Sequence, residues 1–264
     1  MVKKSTDQIR DAVRQNYAGV AKRKGGSCCG SSSCCGSDSE IIPVNSLKLG
    51  YAADDLTAVP DGANLGLGCG NPGAIAALQP GEVVLDLGSG AGFDCFLAAQ
   101  RIGPTGRVIG VDMTPEMLGK ARANAEIGSY TNVEFRLGEI EALPVADNSV
   151  HVIISNCVIN LSPEKPRVFR EAFRVLKPGG RLAISDVVAI APIPEEMRDD
   201  LALYSGCIAG ASSVAEIEAM LADAGFTGIV VHVNAASREV VAEWAPDRGI
   251  EHYVASATIE AVKP

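Results

Sequence analysis

The chain is poor in long apolar runs, in positive charge and in clustered zinc-type cysteine spacing. Across its 264 residues no segment approaches the roughly 18 uninterrupted apolar residues of a membrane-spanning helix. Its opening residues, MVKKSTDQIR, are charged where a secretory leader carries an apolar stretch, so a cytoplasmic location is expected. Lys and Arg total 23 against 32 Asp and Glu, a formal charge of -9 that repels phosphate backbones and anionic lipid. Neither nucleic acid nor membrane is therefore expected as a partner. The eight cysteines fall below the density of a disulfide scaffold, and cytosolic thiols are normally kept reduced. No C-x-x-C unit occurs, which removes the support for a zinc ribbon and leaves metal binding or redox chemistry for isolated thiols. With 47% hydrophobic and 21% charged residues, disordered and collagen-like classes are also excluded.

What is present divides the chain into three parts. Residues 1–40 hold a helix, with Ile9, Val13, Tyr17 and Val20 at helical spacing over 5–22, and then a Gly/Ser/Cys tract, GGSCCGSSSCCGSDS, which cannot bury a core. Residues 41–190 carry short β-branched runs alternating with helical patterns: EVVLDL from 82, RVIGVD from 107, NVEFRL from 132, VHVIIS from 150 and RLAISD from 181. That alternation predicts a doubly wound α/β fold with a mostly parallel sheet. Thr114-Pro115 and Ser162-Pro163 predict capped helix starts, and Lys177-Pro178-Gly179-Gly180 a helix stop. Residues 191–264 predict helices to about 206 and over 213–224, then strands over 228–233 and 253–261.

The run Val83-Val84-Leu85-Asp86-Leu87-Gly88-Ser89-Gly90-Ala91-Gly92 ends a buried strand in glycines that let backbone approach a ligand at a helix start. Phe93 stands where a dinucleotide fingerprint needs its third glycine, and the lysine of a phosphate-binding loop is absent. Asp86 before the loop and Asp112 at the end of the next strand remain. This arrangement resembles the S-adenosylmethionine site of class I methyltransferases, whose fold is a Rossmann-like, seven-stranded sheet. The resemblance implies that Gly88 and Gly90 face the methionine part of the cofactor and that Asp112 accepts hydrogen bonds from both ribose hydroxyls. It implies adenine contacts for Glu139 and Ile140, and it places Asp86, Met113 and Asn156 in the same cofactor site.

The acceptor is read from the end of the fourth strand, Ile154-Ser155-Asn156-Cys157-Val158-Ile159-Asn160-Leu161. It carries neither the paired prolines of adenine methylation nor a base, and His151, His232 and His252 read as ordinary structural histidines. Cys69, Cys95, Cys157 and Cys207 follow at gaps of 26, 62 and 50 residues. Cys95, among apolar residues, reads as a small core residue. The strings Asn64-Leu65-Gly66-Leu67-Gly68-Cys69-Gly70-Asn71-Pro72, Gly92-Phe93-Asp94-Cys95-Phe96, Ser155-Asn156-Cys157-Val158-Ile159-Asn160-Leu161 and Gly206-Cys207 are similar to those of the arsenite methyltransferases, from about residue 41 to the end.

That resemblance implies a small C-terminal arsenic-binding segment and methylation of trivalent arsenic, as arsenite or its thiol conjugates, for detoxification. Trivalent arsenic is soft and prefers thiolates, and three thiolates leave its lone pair free to accept a methyl group. By resemblance, Cys157 and Cys207 hold arsenic throughout and Cys69 is the third ligand of the unmethylated substrate. An N-terminal cysteine is implied to pair with Cys69 after transfer, and glutathione or thioredoxin to reset the enzyme. The arm offers Cys28, Cys29, Cys34 and Cys35 without a basis for choosing among them; Cys35 lies 34 residues from Cys69 and Cys28 lies 41. A monomer is expected. Two other readings stand beside this one: methylation of a small organic acceptor such as a quinone precursor, and non-catalytic metal binding by a thiol-rich protein.

Overall fold

The computed structural model describes residues 5–22 and 46–264. The four arm cysteines, Cys28, Cys29, Cys34 and Cys35, lie outside the described residues. Seven strands form one sheet: β1 (Val83–Leu87), β2 (Arg107–Asp112), β3 (Val133–Leu137), β4 (Val150–Asn156), β5 (Leu176–Ala189), β6 (Thr227–Val233) and β7 (Val254–Val262). Their order is β3-β2-β1-β4-β5-β7-β6. The first five strands pair in parallel, while β7 runs antiparallel to both β5 and β6. A doubly wound α/β fold with a mostly parallel sheet is what these strands build.

Period-two alternation explains why helices cover both faces. Leu85, Leu87, Ile153 and Ile184 point to one side, where they join Val168 and Phe169 of one helix (Lys165–Val175) and Ile217 and Leu221 of another (Val214–Ala224). Val84, Val108, Val152 and Ala183 point to the other, against Phe96 and Ile102 of the helix Phe93–Ile102 and Leu118 of the helix Pro115–Ile127. In chain order the five helices of ten or more described residues are α1 (Thr6–Lys22), α2 (Phe93–Ile102), α3 (Pro115–Ile127), α4 (Lys165–Val175) and α5 (Val214–Ala224).

Several local expectations are corrected. Thr114 does occupy the N-cap of α3, but its hydroxyl makes no capping bond; its backbone N–H instead donates to Asp112 Oδ1 at 2.8 Å. Ser162 lies before the start of α4, which begins at Lys165, because its hydroxyl is held 2.6 Å from the buried Glu141 carboxylate. The chain leaves α4 at Val175 and enters β5 directly at Leu176, so Lys177-Pro178-Gly179-Gly180 belongs to the strand, beside a register shift against β4. The helical stretch before 206 breaks into Glu195–Arg198 and Leu201–Ser205, because Asp200 restarts the helix by accepting from the backbone N–H groups of Ala202 and Leu203.

Strand order reverses between β1 and β4, and open α/β sheets bind ligands at the carboxyl ends of the strands that flank such a point. Gly88 follows β1 and Cys157 follows β4, so the glycine loop and a cysteine flank the crevice. Past β7, Lys263 secures the far end of the sheet. Its ammonium donates to Asn148 Oδ1 and to the carbonyls of Phe173 and Leu176 at 2.7–2.8 Å, and lies 4.6 Å above the Phe173 ring. Lys263→Met strips these acceptors, of which the Leu176 carbonyl is buried, of their donor and is expected to cost about 1–3 kcal/mol, read as a lower urea midpoint with an unchanged slope.

Candidate active site

The glycine loop is shaped by close approach. Gly88 has φ +73°, and a Cβ there would collide with Val158, the residue after Cys157. Gly90 donates its N–H to Asp112 Oδ2 at 3.0 Å, which fixes the carboxylate while leaving acceptor sites on both of its oxygens. Beside it, a cleft of about 1110 Å³ is lined by Asp86, Gly88, Gly90, Asp112, Met113, Ile140, Asn156 and Cys157, among others. Ser89 Oγ, also in its wall, is buried and without a partner among the described residues, a hydroxyl free to meet a ligand. The donor set fits S-adenosylmethionine: two carboxylates, a glycine loop and an apolar wall at Met113 and Ile140.

Glu139 falls elsewhere. Its carboxylate faces Arg10 at 3.6 Å and Arg14 at 3.4 Å, both on α1, and it is Gly138, Ile140 and Glu141 that line the cleft. Arg10 also meets Glu164 at 2.7 Å and Glu141 at 3.2 Å, drawing α1 across the opening. Val13 and Tyr17, one face of the same helix, enter the cleft wall. The sequence shows that apolar stripe but not the surface that it covers.

Asp86, 3% exposed, accepts a hydrogen bond from Cys95 Sγ at 3.1 Å. Cys95 is thus a core residue with a polar partner. Burial, reinforced by the nearby Asp94 carboxyl, pushes the Asp86 carboxyl up to about 8. Asn156 organises the next layer: Nδ2 donates to Gly70 O at 2.8 Å, Tyr51 Oη at 2.9 Å and Asp94 Oδ2 at 3.2 Å, while Oδ1 accepts the Cys69 N–H at 2.9 Å. A Cβ on Gly68 would sit 2.6 Å from Asn156 Nδ2, so glycine before Cys69 lets the two segments close.

The structure brings Cys69, Cys157 and Cys207 together in one buried apolar cluster with Leu161, Leu203 and Ile208. Cys157 is central. Hydrogen bonds from Cys207 first and then Cys69 bring its thiol down to about 5 against the effect of burial. Cys69 is pushed well up, chiefly by burial, and Cys207 chiefly by its bond to Cys157. Cys207 Sγ has a second acceptor within reach, the Cys157 carbonyl at 2.7 Å. Cys157 and Cys207 both adopt left-handed backbone, φ +59° and +63°, two of six non-glycine residues that do so among the described residues. Such conformations are costly for ordinary side chains and concentrate at functional sites.

Asp186, at the carboxyl half of β5, was not singled out by sequence reasoning. It is 1% exposed, and one of its oxygens lies within 4.8 Å of both Cys69 Sγ and Cys157 Sγ. Burial, then the Cys157 thiolate, push its carboxyl up to about 8. A second cleft, of about 1030 Å³, shares Tyr17, Gly66, Leu67, Gly68 and Cys157 with the first and adds Cys207, Leu203 and Trp244. Cys157 therefore stands in the wall common to both. The histidines lie away from it: His151 Nδ1 accepts from Val83 N–H at the opposite end of the sheet, His232 is on β6, and His252 follows a surface turn beside Glu251.

Residues 78–225 match a methyltransferase-domain family. An arsenite methyltransferase of Halobacterium salinarum is 55% identical over 264 residues, covering 98% of this chain and 67% of that protein. The chain belongs to the arsenite methyltransferase family. A member from Aquipseudomonas alcaligenes is 49% identical over 167 residues, 61% of this chain and 48% of its own length. Among solved structures, an arsenic(III) S-adenosylmethionine methyltransferase from Chlamydomonas reinhardtii superposes with a TM-score of 0.62 at 33% identity, covering 84% of this chain and 73% of that one. The chain thus spans two thirds of the Halobacterium relative and about half of the Aquipseudomonas one.

The shared hydrogen bonds make a pH prediction. With the four arm cysteines replaced by serine, thiolate absorbance is expected to persist down to about pH 5, the signature of Cys157. Cys207→Ala removes its principal donor and is expected to move that midpoint up toward the ordinary thiol range. A midpoint unchanged by Cys207→Ala contradicts the assignment.

Proposed function

We propose that the chain transfers a methyl group from S-adenosylmethionine to trivalent arsenic held by Cys69, Cys157 and Cys207. The observation that carries this reading is the meeting of three buried thiols at Cys157, in the wall shared by the cofactor cleft and a second opening. Membership in the arsenite methyltransferase family supports it. S-adenosylmethionine supplies, when bound, an electrophilic methyl group on a sulfonium. Asp112 and the Gly88–Gly90 loop hold that cofactor, with Asp86, Met113, Ile140 and Asn156 completing its walls and Glu139 acting indirectly, through the ion pairs that seat α1.

Arsenite exchanges its three hydroxides for three sulfurs: two hydroxides leave as water with the protons of Cys69 and Cys207, and the third, displaced by the Cys157 thiolate, takes its proton from solvent. The Cys157 thiolate begins this exchange, since it is already ionised where its neighbours are not. Three sulfurs arranged as a pyramid leave the arsenic lone pair exposed, so no general base is required. The nearby groups exclude water: Leu161, Leu203 and Ile208 pack around the sulfurs. Methylation raises arsenic formally by two units, and a cysteine pair supplies the two electrons that return it to the trivalent state. In this reading Cys69 pairs with one of Cys28, Cys29, Cys34 and Cys35, and glutathione or thioredoxin reduces the disulfide in the cytoplasm. Residues 1–40 then serve as the thiol arm, 41–190 as the cofactor domain, and 191–264 as the segment that supplies Cys207, with the chain acting as a monomer.

Anaerobic incubation with S-adenosylmethionine, arsenite and excess thiol, followed by chromatographic separation of arsenic species, tests this directly. Methylated arsenic is expected only with protein and cofactor together. Cys157→Ser and Cys207→Ser are each expected to lower the rate at least a hundredfold while cofactor affinity stays within about twofold, because neither thiol's loss removes Asp112 or the glycine loop. Full activity in either variant would sink the thiolate assignment.

A further inference from the structure

We propose that the cysteine cluster is also a binding site for a thiophilic divalent cation of the zinc and cadmium class, in which Asp186 is an oxygen ligand that arsenic does not need. Cys69 Sγ, Cys157 Sγ and a carboxylate oxygen of Asp186 all lie within 4.8 Å of one another. All three residues are buried, at 2%, 6% and 1% exposure. Two sulfurs bound tetrahedrally to one zinc at about 2.3 Å stand about 3.8 Å apart, so less than about 1 Å of closure is required. Cys207 Sγ, which donates to the Cys157 carbonyl at 2.7 Å and lies outside that group of three, turns from the carbonyl to become the fourth donor.

The difference between the two occupants is coordination number. Trivalent arsenic keeps a lone pair and is saturated by three thiolates, whereas a filled-shell divalent cation has no such pair and takes four ligands in a tetrahedron. The carboxylate is aimed by its own partners. Oδ1 accepts from Asn160 Nδ2 at 2.9 Å and Val187 N–H at 2.7 Å, and Oδ2 accepts from Ile159 N–H at 2.8 Å. A carboxylate offers about four lone-pair sites, which leaves one on Oδ2 for a cation. Binding releases the remaining thiol protons and the Asp186 carboxyl proton to solvent, and Lys165, which interacts electrostatically with Asp186 and Cys207, offsets part of the negative charge. The cation enters by the second cleft, whose wall includes Cys157 and Cys207. A cation seated there occupies the arsenic position and blocks methylation.

The test uses the full-length chain with Cys28, Cys29, Cys34 and Cys35 replaced by serine, so that only the folded cluster reports. Titration with cadmium ion, followed by thiolate-to-cadmium charge-transfer absorbance, is expected to show one ion per chain, displaced by arsenite. X-ray absorption at the cadmium edge is expected to show a mixed shell of sulfur and oxygen. Asp186→Asn, which preserves the shape of the side chain, is expected to weaken cadmium at least tenfold and arsenite by less than about twofold. Absence of binding, an all-sulfur shell in the parent chain, or equal cadmium affinity in the folded variant would each overturn the proposal. Should Asp186→Asn fail to fold, the shell of the parent chain decides. Because the proposal shares its sulfurs with the arsenic reading, competition separates the two: Asp186-dependent cadmium binding that arsenite does not displace upholds the cation site and removes the arsenic assignment.

Discussion

The carboxamide of Asn156 holds the site in register. It ends β4 at the point where strand order reverses, and it satisfies polar groups from three separate segments: the Gly68–Gly70 loop, Tyr51 and Asp94 of α2. Its two N–H bonds have three acceptors within reach, so the tyrosine oxygen and the Asp94 carboxylate share a donor. The Tyr51 hydroxyl closes the ring by donating to Asp94 Oδ1 at 2.7 Å. In a buried setting such a network is costly to break, because each stranded polar group keeps its desolvation penalty. The consequence reaches chemistry through neighbours in sequence. Cys69 is positioned by its backbone N–H on Asn156, and Cys157 is the next residue along the chain.

Strain and charge at the cysteines then balance one another. Left-handed backbone at Cys157 and Cys207 costs about 1 kcal/mol or more at each, and hydrogen bonds from their own N–H groups, to Ser185 O at 2.8 Å and Tyr204 O at 3.0 Å, keep both in place. The reversal at each residue directs two thiols from distant segments at one another. Three thiolates in an apolar pocket would repel; one thiolate solvated by two protonated thiols does not. The cluster accordingly favours ionisation at Cys157 and disfavours it at Cys69 and Cys207.

Much of the framework was legible because it follows from period and punctuation. The five β-branched runs from 82 to 186 and the two later ones became the seven strands, with shifts of a few residues, since alternation leaves few other ways to bury Leu85, Ile153 and Ile184. The glycine loop and Asp112 were legible because glycine and a strand-end acid have specific uses there. The three cysteines were not legible from spacing alone; only their flanking strings, matched to a family, singled them out. Asp186 was hidden because an aspartate within a buried strand has no local signature, and its role depends on β5 lying beside β4. Glu139 illustrates the reverse: a family position drew attention to it, yet ion pairs with Arg10 and Arg14 depend on where α1 docks, which periodicity does not encode.

The docking of α1 also shapes the rim of the site. Arg10 is held by Glu141 and Glu164, Tyr17 Oη donates to Ser205 O at 3.3 Å beside Cys207, and Lys22 pairs with Glu116 of α3 at 2.9 Å. On the far side of residues 23–45, Ser46 lines the cofactor cleft. The two described segments that flank residues 23–45 therefore both end at the rim of the site, and α1 is held there by ion pairs from Glu139, Glu141 and Glu164 rather than by sequence-local contacts.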